Sequence, residues 1–304
     1  GMDGALGVLQ RVAALAFEQH VPPHLLPDWS TPLPVSERQH GRVGLRNQGA
    51  TCYLNSQLQQ LFAVRSFESA LHKLREVPVG AFEGQERGVS MHAVLRELAR
   101  AVEHMAGYRG REYNPRPLVS ALDQHPGFVL GSPVFMQNDA NEFFNQFLDV
   151  LEGAGKALEG DDRWSKGAKL LLSSLHQSLG GSVRWTVLPS ECRHVSHRDD
   201  RFHNLSVDVG DFSAVAESLR HQFAEEALAG ENKYMCEQCG RKVVARKRAR
   251  LASIPEVLVL HLKRFFFDYE TMRRHKINSP FDVPVVLNLW ALDMVEATAT
   301  ALGG

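Results

Sequence analysis

The order of hydrophobic patterns along the 304 residues predicts an α+β fold, a helical half followed by a β-rich half. Between residues 50 and 178, apolar residues recur at intervals of three and four, the period of a helix with one buried face. From about residue 181 the period drops to two, as in strands. A nearly continuous apolar run, Val257-Leu258-Val259-Leu260-His261-Leu262, then reads as a strand buried on both faces.

Taken in order, residues 5–19 carry Leu6, Leu9, Val12, Leu15 and Ala16 at helix spacing, and Pro22, Pro23, Pro27, Pro32 and Pro34 follow. Residues 1–40 are therefore an accessory helix and a Pro-rich lead-in. Helices are predicted over 51–63, 66–74, 89–107, 116–123, 137–153 and 164–178. Turn formers separate them, as at Pro78-Val79-Gly80 and Gly131-Ser132-Pro133. Val183, Trp185 and Val187 alternate, and Phe202, Leu205, Val207 and Val209 do so less regularly. A helix over 213–228 interrupts these strands. Two further strands, 233–235 and 241–252, flank a Cys-x-x-Cys turn. The segment from Trp290 to Gly304 reads as a short Ala-rich tail.

The composition is 44% apolar and 23% charged, enough for a large core. A formal net charge of -1 gives no global field to recruit nucleic acid, so no nucleic-acid partner is expected. Arg241-Lys242 and Arg246-Lys247-Arg248 read as a solvated face or hairpin. No apolar run reaches the roughly 18 residues of a membrane span, and no membrane partner is expected. The first residues lack the charged and apolar regions of a secretory signal. Only four cysteines occur, three of which read as metal ligands. That pattern suits a reducing compartment, cytoplasmic or nuclear, better than a disulfide framework.

The fourth cysteine, Cys52, stands where a turn-rich loop runs into the helical pattern of Leu54, Leu58, Leu61 and Phe62. A helix N-terminus stabilises a thiolate through its unpaired N–H groups and dipole, which suits a nucleophile. The alternative is a buried structural cysteine, for which the surrounding glycines and polar residues make a poor core. The stretch Gly44-Leu45-Arg46-Asn47-Gln48-Gly49-Ala50-Thr51-Cys52-Tyr53-Leu54-Asn55 resembles the Cys box of the ubiquitin-specific proteases at every fixed position. The resemblance implies a papain-like cysteine protease core of thumb, fingers and palm. It implies Cys52 as nucleophile and Asn47 as donor to the oxyanion, the fixed amide that acyl transfer needs. The corresponding boundaries are 41–180 for the thumb, 181–252 for the fingers and 253–304 for a partial palm.

Residues 135–151 pair a polar helix start with a core stripe of Phe143, Phe147, Val150 and Leu151. Asp139 suits a helix cap on its own account. The stretch also resembles the family's Gln-Gln-Asp-Ala-x-Glu-Phe box, with Asn138 in place of the second Gln. That resemblance implies Gln137 and Asp139 as contacts for the basic C-terminal tail of ubiquitin, the expected partner.

Cys236-Glu237-Gln238-Cys239 is half of a tetrahedral zinc site. Upstream only Cys192 occurs, with Pro189 three residues before it, so His194 is the candidate fourth ligand. Cys192, His194, Cys236 and Cys239 would form a structural Cys₃His zinc set with no open position. The Cys-x-His half-site resembles the fat-facets-like branch of the family. The competing readings are His197 as ligand, or no metal.

Leu258 to Phe265, then Lys276-Ile277-Asn278, Phe281 and Pro284, resemble the family's palm strand and the elements after it, so the resemblance covers 41–288. His261 reads as a strand histidine. His40 lies outside every matching block. The family's catalytic imidazole comes from a Gly-His-Tyr box further on, yet no histidine follows His275. The expectation is either a truncated deubiquitinase, hydrolysing after ubiquitin's C-terminal glycine, or a catalytically silent ubiquitin-binding module. An incomplete palm would leave the central sheet with an open edge.

Overall fold

In the computed structural model, the described residues are 43–107, 112–128 and 138–301. The helix expected over 5–19, Gln137 and His40 lie outside them.

Among the described residues, six α-helices form the first half: α1 (Cys52–Leu61), α2 (Arg65–Leu74), α3 (Gly88–Gly107), α4 (Arg116–Asp123), α5 (Ala140–Leu158) and α6 (Ser165–Ser173). Each buries the face its spacing predicts. In α1 this face is Tyr53, Leu54, Leu58 and Leu61; in α5 it is Phe143, Phe147, Val150 and Leu151, extended by Ala154 and Leu158. These faces meet in one apolar cluster that reaches from Tyr53 to Leu179.

Two differences from the predicted helices have local causes. Helix α5 runs past residue 153 through two glycines, because its buried stripe continues. A Cβ at Gly155 would sit 2.8 Å from Leu172 Cδ2, so glycine lets this stretch approach Leu172. The helix expected over 164–178 ends at Ser173 and continues as a π turn, Ser174–Ser178. Ser66 Oγ on α2 holds that turn, 2.9 Å from Ser174 Oγ and 3.0 Å from Ser178 Oγ.

The second half carries β3 (Gly181–Pro189), β4 (Ser196–Phe202), β5 (Leu205–Asp208), α7 (Val215–Gln222), β6 (Glu226–Leu228), β7 (Tyr234–Cys236), β8 (Arg241–Val243), β9 (Ala245–Ile254), β10 (Leu260–Lys263), β11 (Phe265–Asp268), β12 (Arg273–Lys276) and β13 (Val295–Ala301). The short strands β1 (Gly44–Leu45) and β2 (Glu112–Tyr113) belong to the helical half. The main sheet has the order β13-β9-β3-β4, with β6 also on β9. Val183, Ala249 and Leu251 of this sheet pack against Val215, Leu219 and Phe223 on and beside α7. The architecture is the expected α+β arrangement, consistent with a papain-like fold.

Three expectations in this half need correction. The helix expected over 213–228 stops at Gln222, because Glu226–Leu228 pair with Lys247, Arg246 and Ala245 of β9. The apolar run 257–262 is not a doubly buried strand. Only Leu260–Lys263 are extended, paired in parallel with β5, and Leu260, His261 and Leu262 are half-buried. The segment after Trp290 is more than a tail, since Val295–Ala301 join the sheet beside β9, anchored by the buried Met294. The pairs β5–β10 and β11–β12 stand as separate two-stranded sheets. No helix among the described residues is long and apolar enough to cross a membrane.

Candidate active site and metal centre

The loop before Cys52 is held from both sides. Strands β1 and β2 pair in parallel, and the Arg46 backbone N–H donates to the Tyr113 carbonyl at 2.8 Å. The Arg46 guanidinium pairs with Glu112, its Nε 2.8 Å from Oε1. The chain then tightens around Asn47. Asn47 Oδ1 accepts from the Gly49 N–H at 3.2 Å, the Thr51 N–H at 3.1 Å and the Thr51 hydroxyl at 3.0 Å. Thr51 Oγ1 in turn accepts from the Gln48 N–H at 2.9 Å. Gly49 has φ +121°, which a side chain rarely tolerates.

These bonds give the residue types of the motif a physical reason. With its carbonyl oxygen engaged three times, the Asn47 side chain is fixed in orientation, and its Nδ2 is the remaining donor end. The chain enters α1 at Cys52, whose side chain is exposed while Thr51, Tyr53 and Leu54 are buried. That exposure removes the structural-cysteine reading. Asn55 donates to the Leu45 and Arg46 carbonyls at 3.3 Å each, tying α1 back to β1.

The motif at 135–151 meets this site through Tyr53. Asn138 Nδ2 donates to the Tyr53 hydroxyl at 3.0 Å, and the Tyr53 ring stands edge-on to Phe143 with centroids 5.4 Å apart. Burial pushes the Tyr53 phenol above its ordinary range, and the Asn138 donor works against that rise. Asp139 caps α5: its Oδ1 accepts from the Asn141 N–H at 2.8 Å and the Glu142 N–H at 3.0 Å. So the capping reading holds for Asp139.

In the sheet half, β7 and β8 form the hairpin that carries Cys236 and Cys239. The Gly240 N–H donates to the Cys236 carbonyl at 2.9 Å, and Gly240 takes φ +63°. The thiol sulfurs of Cys192, Cys236 and Cys239 lie within 4.8 Å of one another and could hold a metal ion. Cys192 Sγ is 3.7 Å from Cys236 Sγ, and His194 Nδ1 is 3.9 Å from the same sulfur. His197 turns elsewhere, its Nδ1 3.1 Å from Thr186 Oγ1. The Cys239 backbone N–H holds the Cys236 thiol down at about 6. Cys239, hydrogen-bonded to Cys192 and Cys236 and repelled by their charge, is pushed up to about 11. Crowded sulfurs of this kind favour a bound cation, which relieves their repulsion.

His261 lies on a strand, β10, as expected, but its buried Nδ1 has no hydrogen-bond partner among the described residues, so it is not the satisfied strand histidine the sequence suggested. Sequence reasoning missed the supports supplied by Glu112, Tyr113 and Asn114. Asn114 Oδ1 accepts from Gln48 Nε2 at 3.0 Å, 66 positions away, and no local pattern marks such a pairing. It also missed the Tyr53–Asn138 bond, although the departure from the family pattern at 138 was a visible signal.

A family model described as "Ubiquitin carboxyl-terminal hydrolase" matches residues 43–302. The chain belongs to the ubiquitin carboxyl-terminal hydrolase family. This family comprises cysteine peptidases, and the Cys52 loop lies near the start of the matched region. Among its relatives, "Ubiquitin carboxyl-terminal hydrolase 47" of Drosophila melanogaster is 32% identical over 256 residues, 82% of this chain and 15% of that protein. "Probable ubiquitin carboxyl-terminal hydrolase FAF" of Drosophila melanogaster is 30% identical over 306 residues, 87% of this chain and 10% of that protein. "Ubiquitin carboxyl-terminal hydrolase 34" of Homo sapiens is 28% identical over 249 residues, 81% of this chain and 6% of that protein. The match to FAF agrees with the fat-facets-like branch. The chain thus spans 15% or less of the length of each of these three relatives.

Proposed function

We propose that this chain carries the catalytic thiol of a deubiquitinase that hydrolyses the bond after the C-terminal glycine of ubiquitin. The observation that carries the reading is the exposed Cys52 at the start of α1, behind a loop fixed by Asn47 and Thr51. In this role the Cys52 sulfur attacks the glycine carbonyl, and the C=O electron pair moves onto oxygen. Asn47 Nδ2 donates to that oxyanion, a stabilisation worth on the order of 3 kcal/mol in comparable sites. Collapse of the tetrahedral species expels the amine, which takes up a proton, and leaves a thioester for water to hydrolyse. Gln137 and Asp139 hold the basic tail of ubiquitin, with Asp139 keeping its capping bonds on one oxygen while the other faces an arginine.

The metal of the proposed site is zinc, held by Cys192, His194, Cys236 and Cys239. Zinc–sulfur bonds of about 2.3 Å in a tetrahedron place two sulfurs about 3.8 Å apart, close to the 3.7 Å between Cys192 and Cys236. The ion would stiffen the tip of the fingers and supplies no open position for chemistry. The subdomains are then the thumb over 41–180, the fingers over 181–252 and part of the palm over 253–304, preceded by the accessory segment 1–40. A cytoplasmic or nuclear setting fits four cysteines that no disulfide joins.

A second reading is a ubiquitin-binding module without turnover. Hydrolysis of a ubiquitin C-terminal fluorophore separates the two. Turnover that disappears in Cys52→Ala supports the deubiquitinase. Ubiquitin binding without turnover supports the module. Turnover undiminished in Cys52→Ala removes Cys52 as nucleophile.

A further inference from the structure

The position at which the second motif departs from its family is Asn138, and its side chain is used. Asn138 stands between the two residues proposed to hold the ubiquitin tail, Gln137 and Asp139. It reaches across to Tyr53, the residue after the proposed nucleophile, and donates to its hydroxyl at 3.0 Å. Tyr53 is buried and stands edge-on to Phe143, one turn into α5. The start of α5 and the start of α1 are therefore joined twice, by a hydrogen bond at the entrance and by ring packing below it.

We infer that Asn138 and Tyr53 form a positioning pair, which sets the distance between the tail-holding segment and the thiol of Cys52. This rests on the proposed function, and it adds residues to which neither binding nor chemistry had been assigned. Neither residue needs to touch ubiquitin. The Asn138 bond fixes the backbone that leads into Asp139. Asp139 is fixed by its own capping bonds, so the unit moves as one. The phenol ring has no rotatable bond beyond the Cβ–Cγ bond, and α1 carries Tyr53 and Cys52 on consecutive residues. Placement of Asn138 against the phenol thus becomes placement against the thiol. Asparagine reaches the phenol with one methylene fewer than glutamine, which makes the link shorter and stiffer.

The test compares Tyr53→Phe, Asn138→Ala and the double variant, measuring affinity for ubiquitin and for ubiquitin shortened by its C-terminal tail. A neutral hydrogen bond is worth about 1 kcal/mol, so each single change should weaken binding of intact ubiquitin about fivefold. Binding of shortened ubiquitin and the melting temperature should stay near those of the parent chain. The double variant should be no weaker than either single one, since both remove the same link. Asn138→Gln, which keeps a donor, should recover most of the lost affinity. Losses that add in the double variant would overturn the pairing. So would equal losses for intact and shortened ubiquitin, which mark a merely structural bond. If Asn138→Ala fails to fold, the nearly isosteric Tyr53→Phe still decides. A parent chain that does not distinguish the two ubiquitins would instead bring down the tail-binding reading itself. The pair fails alone if the parent distinguishes them and the variants do so equally well.

Discussion

In the helical half, Leu58, Phe67, Leu71, Phe143, Phe147 and Leu171 are all sealed from water. In the sheet half, Phe265, Phe266 and Phe267 are 62%, 52% and 41% exposed on consecutive residues of β11. The contrast follows from how each kind of element satisfies its backbone. A helix closes its hydrogen bonds within itself, so one buried stripe is enough to place it. A strand depends on partners far away in sequence, and a two-stranded pair leaves an open row of N–H and C=O groups on each side. β5–β10 and β11–β12 are such pairs among the described residues. One large apolar cluster therefore dominates the half that carries Cys52, while the other half combines its main sheet with a smaller apolar cluster around α7.

The largest effects should test that division. Phe143→Ala removes a fully buried ring at the meeting of Tyr53, Phe128 and Phe147, and should cost about 3–5 kcal/mol in a denaturant melt. Phe266→Ala in the exposed hairpin should change stability by less than about 0.5 kcal/mol. Comparable losses at the two positions would erase the contrast.

Metal removal probes the other side. Zinc analysis should find one ion per chain, lost in Cys236→Ser. Chelation should then speed amide exchange in β7 and β8 while leaving α1 to α6 protected. Exchange that rises equally in both halves would mean that the site is coupled to the whole fold.

A smaller effect separates two roles of one residue. Asp139→Ala loses the cap and should cost about 1 kcal/mol of stability. Asp139→Asn keeps an accepting oxygen, so stability should hold while affinity for ubiquitin falls. If Asn binds ubiquitin as well as Asp does, the carboxylate has no part in holding the tail.

The smallest expected effect is a pH dependence to which a buried histidine of the helical half contributes. His125 is buried, and its Nδ1 accepts from the Gly127 N–H at 3.0 Å. Burial, helped by the nearby Arg87 charge, holds its pKa below the ordinary imidazole value. Below about pH 6.5 the unfolded chain takes up a proton that the folded chain refuses. Its contribution is therefore complete above that pH and declines as the pH falls toward the folded value. Urea midpoints measured between pH 7 and pH 5.5 should drop, and His125→Asn should make the drop smaller, with His203, whose pKa burial also lowers, supplying part of the remainder. An unchanged slope in that variant would assign the pH dependence to other groups.

Much of this was legible in the sequence, for identifiable reasons. The helices of the first half announced themselves through Leu54–Leu58–Leu61 and Phe143–Phe147–Leu151, because a 3.6-residue period is a local property. The cysteine turn at 236–239 was equally local. The helix over 213–228 was overcounted because its last residues keep a mixed pattern that only their pairing with β9 resolves. The Ala-rich segment carried no strand signal, and its place beside β9 depends on a partner over forty positions upstream.

The sequence by itself determined the family and the place of Cys52 before an amphipathic helix, and it pointed to Cys192, Cys236 and Cys239 with His194 or His197 as candidate zinc ligands. Each is a matter of residue type at short spacing. Only the tertiary structure decided how these pieces face one another. It turned Asn47 inward on Thr51, set Asn138 against Tyr53, brought Cys192 to Cys236 and turned His197 away to Thr186. Apart from the local Asn47–Thr51 turn, those contacts join residues that chain order keeps apart, and packing, with the directionality of hydrogen bonds, selects them.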